Sequence, residues 1–225
     1  MDLYEAMRTT FAARDFTDEP LPDATLFSIL DRARFAPSGG NRQGWHVVVV
    51  RERATRAALA RFTEPAAKRY IAQGQAGENP WNPVDPTKVD AATIERTPPA
   101  PRLVEPVLKA PVVLVLCVDL KVVACTDQLL RRIGVVGGAS IYPFAWNILL
   151  SARGHGFGGT ITTLAVAEEP GIKAMLGIPD HVAVCAVMPL GRPVKQLTKL
   201  RRKTVAEFAH RERWTGAPFT GEGGA

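Results

Sequence analysis

Cysteine is scarce: three in 225 residues, at Cys117, Cys125 and Cys185, with no CxxC pair. That excludes a zinc ribbon or a dithiol redox centre, and the apolar runs around Cys117 and Cys185 mark them as reduced core thiols. The four histidines, His46, His155, His181 and His210, have no mutual spacing that would hold a metal. His155 alone, beside a glycine-rich turn, is a candidate proton donor. No apolar run approaches the roughly 20 residues of a membrane span. The N-terminal MDLYEAMRTTFAARDF carries polar and acidic residues where a secretory signal needs an apolar centre. The expectation is a cytoplasmic protein that meets no membrane. A GxGxxG fingerprint opening a helix is also missing, as are internal repeats.

What is present is ordinary globular material, 46% hydrophobic and 22% charged, enough for a single domain over residues 1–225 with a disordered tail at 216–225. The net charge of +6 raises nucleic acid as a partner. However, Arg51, Arg53, Arg56 and Arg61 are spaced as a solvated helix face, and no nucleic-acid-binding motif accompanies them or the basic stretch Lys195 to Lys203. No nucleic acid is expected.

The ten residues Ala36 to Trp45, APSGGNRQGW, carry the most information. Two glycines admit φ > 0 and close backbone approach, while Ser38, Asn41, Arg42 and Gln43 offer donors and acceptors to something flat and anionic. The run that follows, Trp45 to Val50, reads as a buried strand. Asp2 to Ala13 reads as a helix with Leu3, Met7, Thr10 and Phe11 near one face. Asp23 caps a second helix whose stripe is Leu26, Ile29, Leu30 and Ala33. Glu52 to Phe62 is helical. The proline-rich stretch Glu64 to Pro111 reads as a long irregular excursion on the substrate side, in which KRYIAQ and AATIERT make short helices and Trp81 supplies an aromatic wall. Pro111 to Asp119 and His181 to Met188 are further strands. Gly137 to Gly154 is an apolar helix that Pro143 forces to bend or to start near Ser140; apolar on more than one face, it suits burial on two sides, as in a dimer core. Gly154 to Leu164 forms a second glycine loop, and Gly177 ends the helix after it. Strands alternating with helices give an α/β or α+β fold.

Four segments in order, RTTFAARDFTDEPLP, APSGGNRQGWHVVVV, FAWNILLSARGHGFGGTITTL and LGRPVKQLTKLRRKTVAEF, resemble the FMN-dependent nitroreductase-like flavoproteins. The resemblance covers most of the chain and is silent over Glu64 to Pro111. It implies an α+β sandwich with a mostly antiparallel central sheet flanked by helices, an obligate homodimer, and FMN in clefts at the dimer interface. NADH or NADPH reduces the flavin at N5, and a planar acceptor such as a nitroaromatic or quinone is reduced in turn.

By the same resemblance Arg14 is the catalytic cation, aimed at the N1/O2 edge of the flavin, where negative charge develops on reduction. Ser38, Gly39, Asn41 and Gln43 hold the flavin edge and ribityl chain. Gly158, Gly159 and Thr160 bring backbone N–H groups to the ring. Arg201 and Arg202 clamp the phosphate. The chain departs from the family at Thr10 and Phe11, where a basic pair is usual, so phosphate binding shifts to Arg8, to the Thr9 and Thr10 hydroxyls and to the C-terminal arginines. Gly44 replaces a family proline and is expected to loosen its loop. A flavin- or deazaflavin-binding storage protein of the same fold is the alternative function.

Overall fold

The structure is a computed structural model that describes residues 1–221; of the expected tail, 222–225 lie outside the described residues. Its centre is a four-stranded sheet of β1 (Trp45–Val50), β2 (Val112–Asp119), β3 (Gly158–Gly159) and β4 (Val182–Gly191). They stand in the order β1-β2-β4-β3, and every neighbouring pair is antiparallel. The α+β expectation therefore holds.

β2 explains the layering. Successive side chains of a strand point to opposite faces, and both faces of this one are apolar. Val112, Leu114, Leu116 and Val118 join one core, with residues of α2 (Asp23–Ala33) and α6 (Tyr142–Gly154). Val113, Val115 and Cys117 join the other, with α3 (Arg53–Gln75) and α5 (Pro101–Lys109). Each fully buried leucine stabilises this arrangement by about 2 kcal/mol.

Several expectations shift in detail. α1 spans Leu3–Thr9, shorter than the expected Asp2 to Ala13, because Thr10 turns extended and the chain then pairs with β3: Ala13 N–H donates to the Gly159 carbonyl at 2.9 Å. Its buried residues are Ala6 and Thr9, while Leu3, Tyr4 and Met7 are exposed. Asp23 sits inside the first turn of α2 and takes an Arg51 guanidinium at 2.6 Å in place of a cap. α3 runs through Pro65, so the first part of the supposed irregular stretch is helix. α4 (Ala91–Arg96) and α5 order more of it. Pro143 falls in the first turn of α6, where its missing N–H costs nothing. α7 (Glu169–Leu176) ends on Gly177 in the left-handed region at φ 66°, as expected.

Arg51 and Arg56 are structural cations: Arg51 also donates to the Leu21 carbonyl at 2.8 Å, and Arg56 caps the end of α5 through the Leu108 and Ala110 carbonyls. No helix among the described residues is long and apolar enough to cross a membrane.

Candidate active site: two glycine loops and two chambers

The first glycine loop is held in an unusual backbone conformation. Gly40, Asn41 and Gln43 all lie at positive φ, at 61°, 53° and 50°. For the two non-glycine residues that conformation is costly and persists only where surrounding contacts enforce it. Here those contacts are internal: Gln43 N–H donates to Ser38 Oγ at 2.9 Å, and Gln43 Nε2 donates to Asn41 Oδ1 at 3.2 Å. Ser140 Oγ accepts from Gly39 N–H at 3.3 Å and fixes the loop to the approach of α6. Gly44 does not loosen it. A Cβ there would stand 2.6 Å from Val122 Cγ2, and the Gly44 carbonyl accepts from Asp119 N–H at 2.8 Å. Glycine at this position permits close packing.

The second loop uses glycine in that same way. A Cβ on Gly159 would collide with the Pro189 carbonyl and with Leu190 Cδ2, and one on Gly158 would press on Pro193 at 3.1 Å. These glycines let the edge of β3 close on β4, and they dock the segment that carries Arg14, with Ala12 bridged to Gly159.

Arg14 and Thr160 then line one small chamber of about 180 Å³ together with Arg102, Tyr70 and Thr162; among its described lining residues there is neither aspartate nor glutamate. Two guanidinium groups and hydroxyls without a carboxylate make an electropositive, donor-rich pocket, suited to the electron-rich edge of a planar ring. Its volume admits one edge of a tricyclic ring system and no more. Arg102 lies in the proline-rich stretch, in which no motif marks it.

A second chamber of about 880 Å³ shares Tyr70, Thr163 and Leu164 with the first. Trp81 forms part of its wall, as the sequence suggested. The segment from Cys125 to Val135 closes another side, and Asp127 clasps it shut. The Asp127 carboxylate accepts from Val135 N–H at 2.7 Å and from Arg132 Nη1 at 2.8 Å. Those bonds, the Val135 amide first, hold its pKa down at about 2. Burial pushes the Cys117 and Cys185 thiols up, to about 11 and about 12. Both stay protonated, which agrees with their reading as core thiols.

At the end of α1 the basic residues converge. Arg8 Nη1 donates to the Thr198 carbonyl at 3.1 Å, and Gln196 Nε2 donates to the Thr9 carbonyl at 3.0 Å, so the C-terminal basic stretch lies along this helix end. Arg153, on the last turn of α6, donates from Nε to Thr9 Oγ1 at 3.1 Å. It was missed because only the tertiary fold brings it there. Thr10 points inward and its hydroxyl donates to the Ala6 carbonyl at 2.7 Å, so that proton is committed inside α1. Arg201 and Arg202 are exposed just beyond. His155 Nε2 lies 3.4 Å from Ser28 Oγ and lines neither chamber.

Within one chain, then, contacts join Arg14 to the second loop and Arg8 to the C-terminal stretch. Among the described residues no hydrogen bond ties the Ser38 to Gln43 loop to either group.

Comparison with known proteins agrees with this architecture. The nitrobenzene nitroreductase of Ectopseudomonas oleovorans is 26% identical over 210 residues, covering 83% of this chain and 85% of its own. Among solved structures, oxidized iodotyrosine deiodinase bound to FMN and 3-iodo-L-tyrosine superposes with a TM-score of 0.66 at 17% identity over 91% of this chain and 96% of its own. The NADPH:FMN oxidoreductase of Vibrio harveyi complexed with NAD+ gives 0.63 at 20% identity over 94% and 77%. The sequence profile of the Nitroreductase family matches residues 7–192, and on that match the chain belongs to the Nitroreductase family.

Proposed function

We propose that the protein is an FMN-dependent NAD(P)H oxidoreductase that reduces planar acceptors such as nitroaromatics or quinones, acting as a homodimer. The observation that carries this is the small chamber, in which Arg14 and Arg102 meet Thr160 and Thr162 with no carboxylate among the described lining residues. That donor set fits the pyrimidine edge of an isoalloxazine. Bound FMN would supply the transfer of hydride from nicotinamide to acceptor. Arg14 holds positive charge where electron density accumulates, which favours the reduced form. Tyr70, Leu103 and Leu164 cover the same chamber with apolar surface and exclude water from it.

Arg8, Arg153, Arg201 and Arg202 hold the phosphate, replacing the basic pair absent at Thr10 and Phe11. The remaining ring surface, too large for the chamber, is covered by Ser38, Gly39, Asn41 and Gln43 of a second copy. Supporting that arrangement, Leu3, Tyr4 and Met7 of α1, Phe27 of α2 and Trp146 of α6 leave apolar surface exposed, more than a monomer ordinarily carries on adjoining helices. Nitroreductase and NADPH:FMN oxidoreductase relatives point to the same chemistry.

The test is purification followed by anaerobic titration. The expected result is a yellow dimer whose flavin absorbance bleaches on adding NADH or NADPH and returns on adding a quinone. A yellow protein that neither nucleotide bleaches is a storage protein, and a colourless one that FMN cannot reconstitute refutes the flavin site.

A further inference from the structure

We propose that the 880 Å³ chamber is the acceptor site and selects uncharged, multi-ring aromatic molecules, with Trp81 as the residue that sets this preference. The inference rests on the oxidoreductase reading above and names its substrate class. Four observations carry it.

The chamber lies against the flavin side: Tyr70, Thr163 and Leu164 line both it and the small chamber that holds Arg14. A molecule filling it is therefore one side chain away from the redox edge. Its volume is in the range that takes a ligand larger than a single ring.

Among its described lining residues there is no aspartate, glutamate, lysine, arginine or histidine. Burial raises the pKa of two of its lining groups, Cys185 and Tyr142, and so favours their neutral forms. The Tyr142 hydroxyl donates to the Cys185 carbonyl at 3.2 Å. A charged acceptor would enter with no partner, at a desolvation cost that apolar contacts do not offset. An amino-acid zwitterion would leave two charges unpaired.

Trp81 is built in as a rigid wall. Its backbone sits at φ 56°, its N–H donates to Gln73 Oε1 at 3.1 Å, and its indole Nε1 donates to the Ala66 carbonyl at 3.2 Å. Gln73 is itself buried and donates to Glu78 at 3.0 Å. Such a plane suits stacking by a flat aromatic ring.

The indole also screens a charge. The Arg69 guanidinium lies 4.2 Å from the Trp81 ring centroid, and Trp81 lines the chamber while Arg69 does not. Removing the indole uncovers a cation at the chamber wall. Loss of Trp81 therefore does more than weaken binding: it inverts the charge preference.

The experiment compares 1,4-naphthoquinone with 1,4-naphthoquinone-2-sulfonate as acceptors for the FMN-loaded protein, reading kcat/KM for each, while stopped-flow absorbance follows flavin reduction by NADPH separately. Wild type is expected to favour the neutral quinone. In Trp81→Ala the neutral quinone loses about tenfold, the worth of one stacking contact, and the sulfonate gains, so the ratio collapses or reverses. Trp81→Phe keeps the wild-type preference. Ala167→Phe, which fills the chamber from an exposed position, provides a variant free of the Trp81 network. It is expected to raise KM for the neutral quinone, while the FMN content of the purified protein, read from its flavin absorbance, stays at the wild-type level. Binding without turnover is read as saturable quenching of tryptophan emission by the neutral quinone, diminished in Trp81→Phe. An unchanged acceptor ratio in Trp81→Ala, or no saturable quenching because a second copy of the chain fills the chamber, overturns the inference. Either result alongside normal flavin reduction leaves the oxidoreductase reading intact, whereas failure to bind or reduce flavin counts against that reading instead.

Discussion

The two glycine loops look alike in sequence and differ in physics. At Ser38 to Gln43 the backbone is left-handed at three positions, the side chains are mostly exposed, and a Cβ on Gly40 would meet nothing closer than Arg42 Nε at 3.4 Å. Glycine there supplies conformation. At Gly158 and Gly159 φ is ordinary and the demand is for space, because Pro193 stands 3.1 Å from a side chain at the first and Pro189 and Leu190 occupy the place of one at the second. The first loop stores strain at the surface, where a ligand or a second subunit can use it. The second builds the platform on which Arg14 rests.

The sharpest way to break this contrast is Gly159→Ala. Forcing a methyl group into the Pro189 carbonyl is expected to cost about 3 kcal/mol or more, measured by urea unfolding, and to disturb Arg14 through the Ala12 bridge. A variant that folds with wild-type stability would show that packing does not select glycine there.

Next in size is Arg14→Ala, which leaves the platform and removes the cation. Flavin reduction by NADPH is expected to slow about a hundredfold, and the flavin midpoint potential to fall, with FMN affinity little changed. Arg201→Ala is expected to do the reverse and release FMN. Equal losses of affinity in both variants would refute the division between ring edge and phosphate.

The smallest effect belongs to Gly40→Ala. With room for the methyl group, only the left-handed backbone resists, at about 1 kcal/mol, read as a drop of about 2–4 °C in Tm. Should Gly40→Ala unfold the protein as thoroughly as Gly159→Ala, the two loops would not differ in the way described.

How much of this was legible beforehand depends on the range of the interaction concerned. β1 and β2 could be read as strands because unbroken β-branched runs have few other places to go, although β1 lies at the sheet edge and buries only Val50 where a buried strand was expected, and the stripe of α2 could be read because its spacing matches one helix face. The end of α1 could not, since Thr10 turns extended to let Ala13 reach Gly159, 146 residues away in sequence. α3 passed through Pro65 against local expectation, carried by the buried faces of Leu59, Ala66 and Ala67. Among site residues, Arg14 and the two loops were visible as motifs. Arg102 and Arg153 were not, as each is an ordinary surface-type arginine until the fold sets it beside Thr160 or Thr9.

The sequence by itself determined the principal helices and strands, the position of both glycine loops and, through four motifs in order, the family resemblance that implied an antiparallel α+β core and a role for Arg14, because each of these signals is written in contiguous residues. Only the tertiary structure decided that Gly40 serves conformation while Gly44, Gly158 and Gly159 serve space, that Arg153 joins Arg8 at the end of α1, and that Trp81 stands between the ring contact of Arg69 and a chamber with no charged side chain among its described lining residues. Those outcomes depend on which distant segments meet, and local patterning does not specify that.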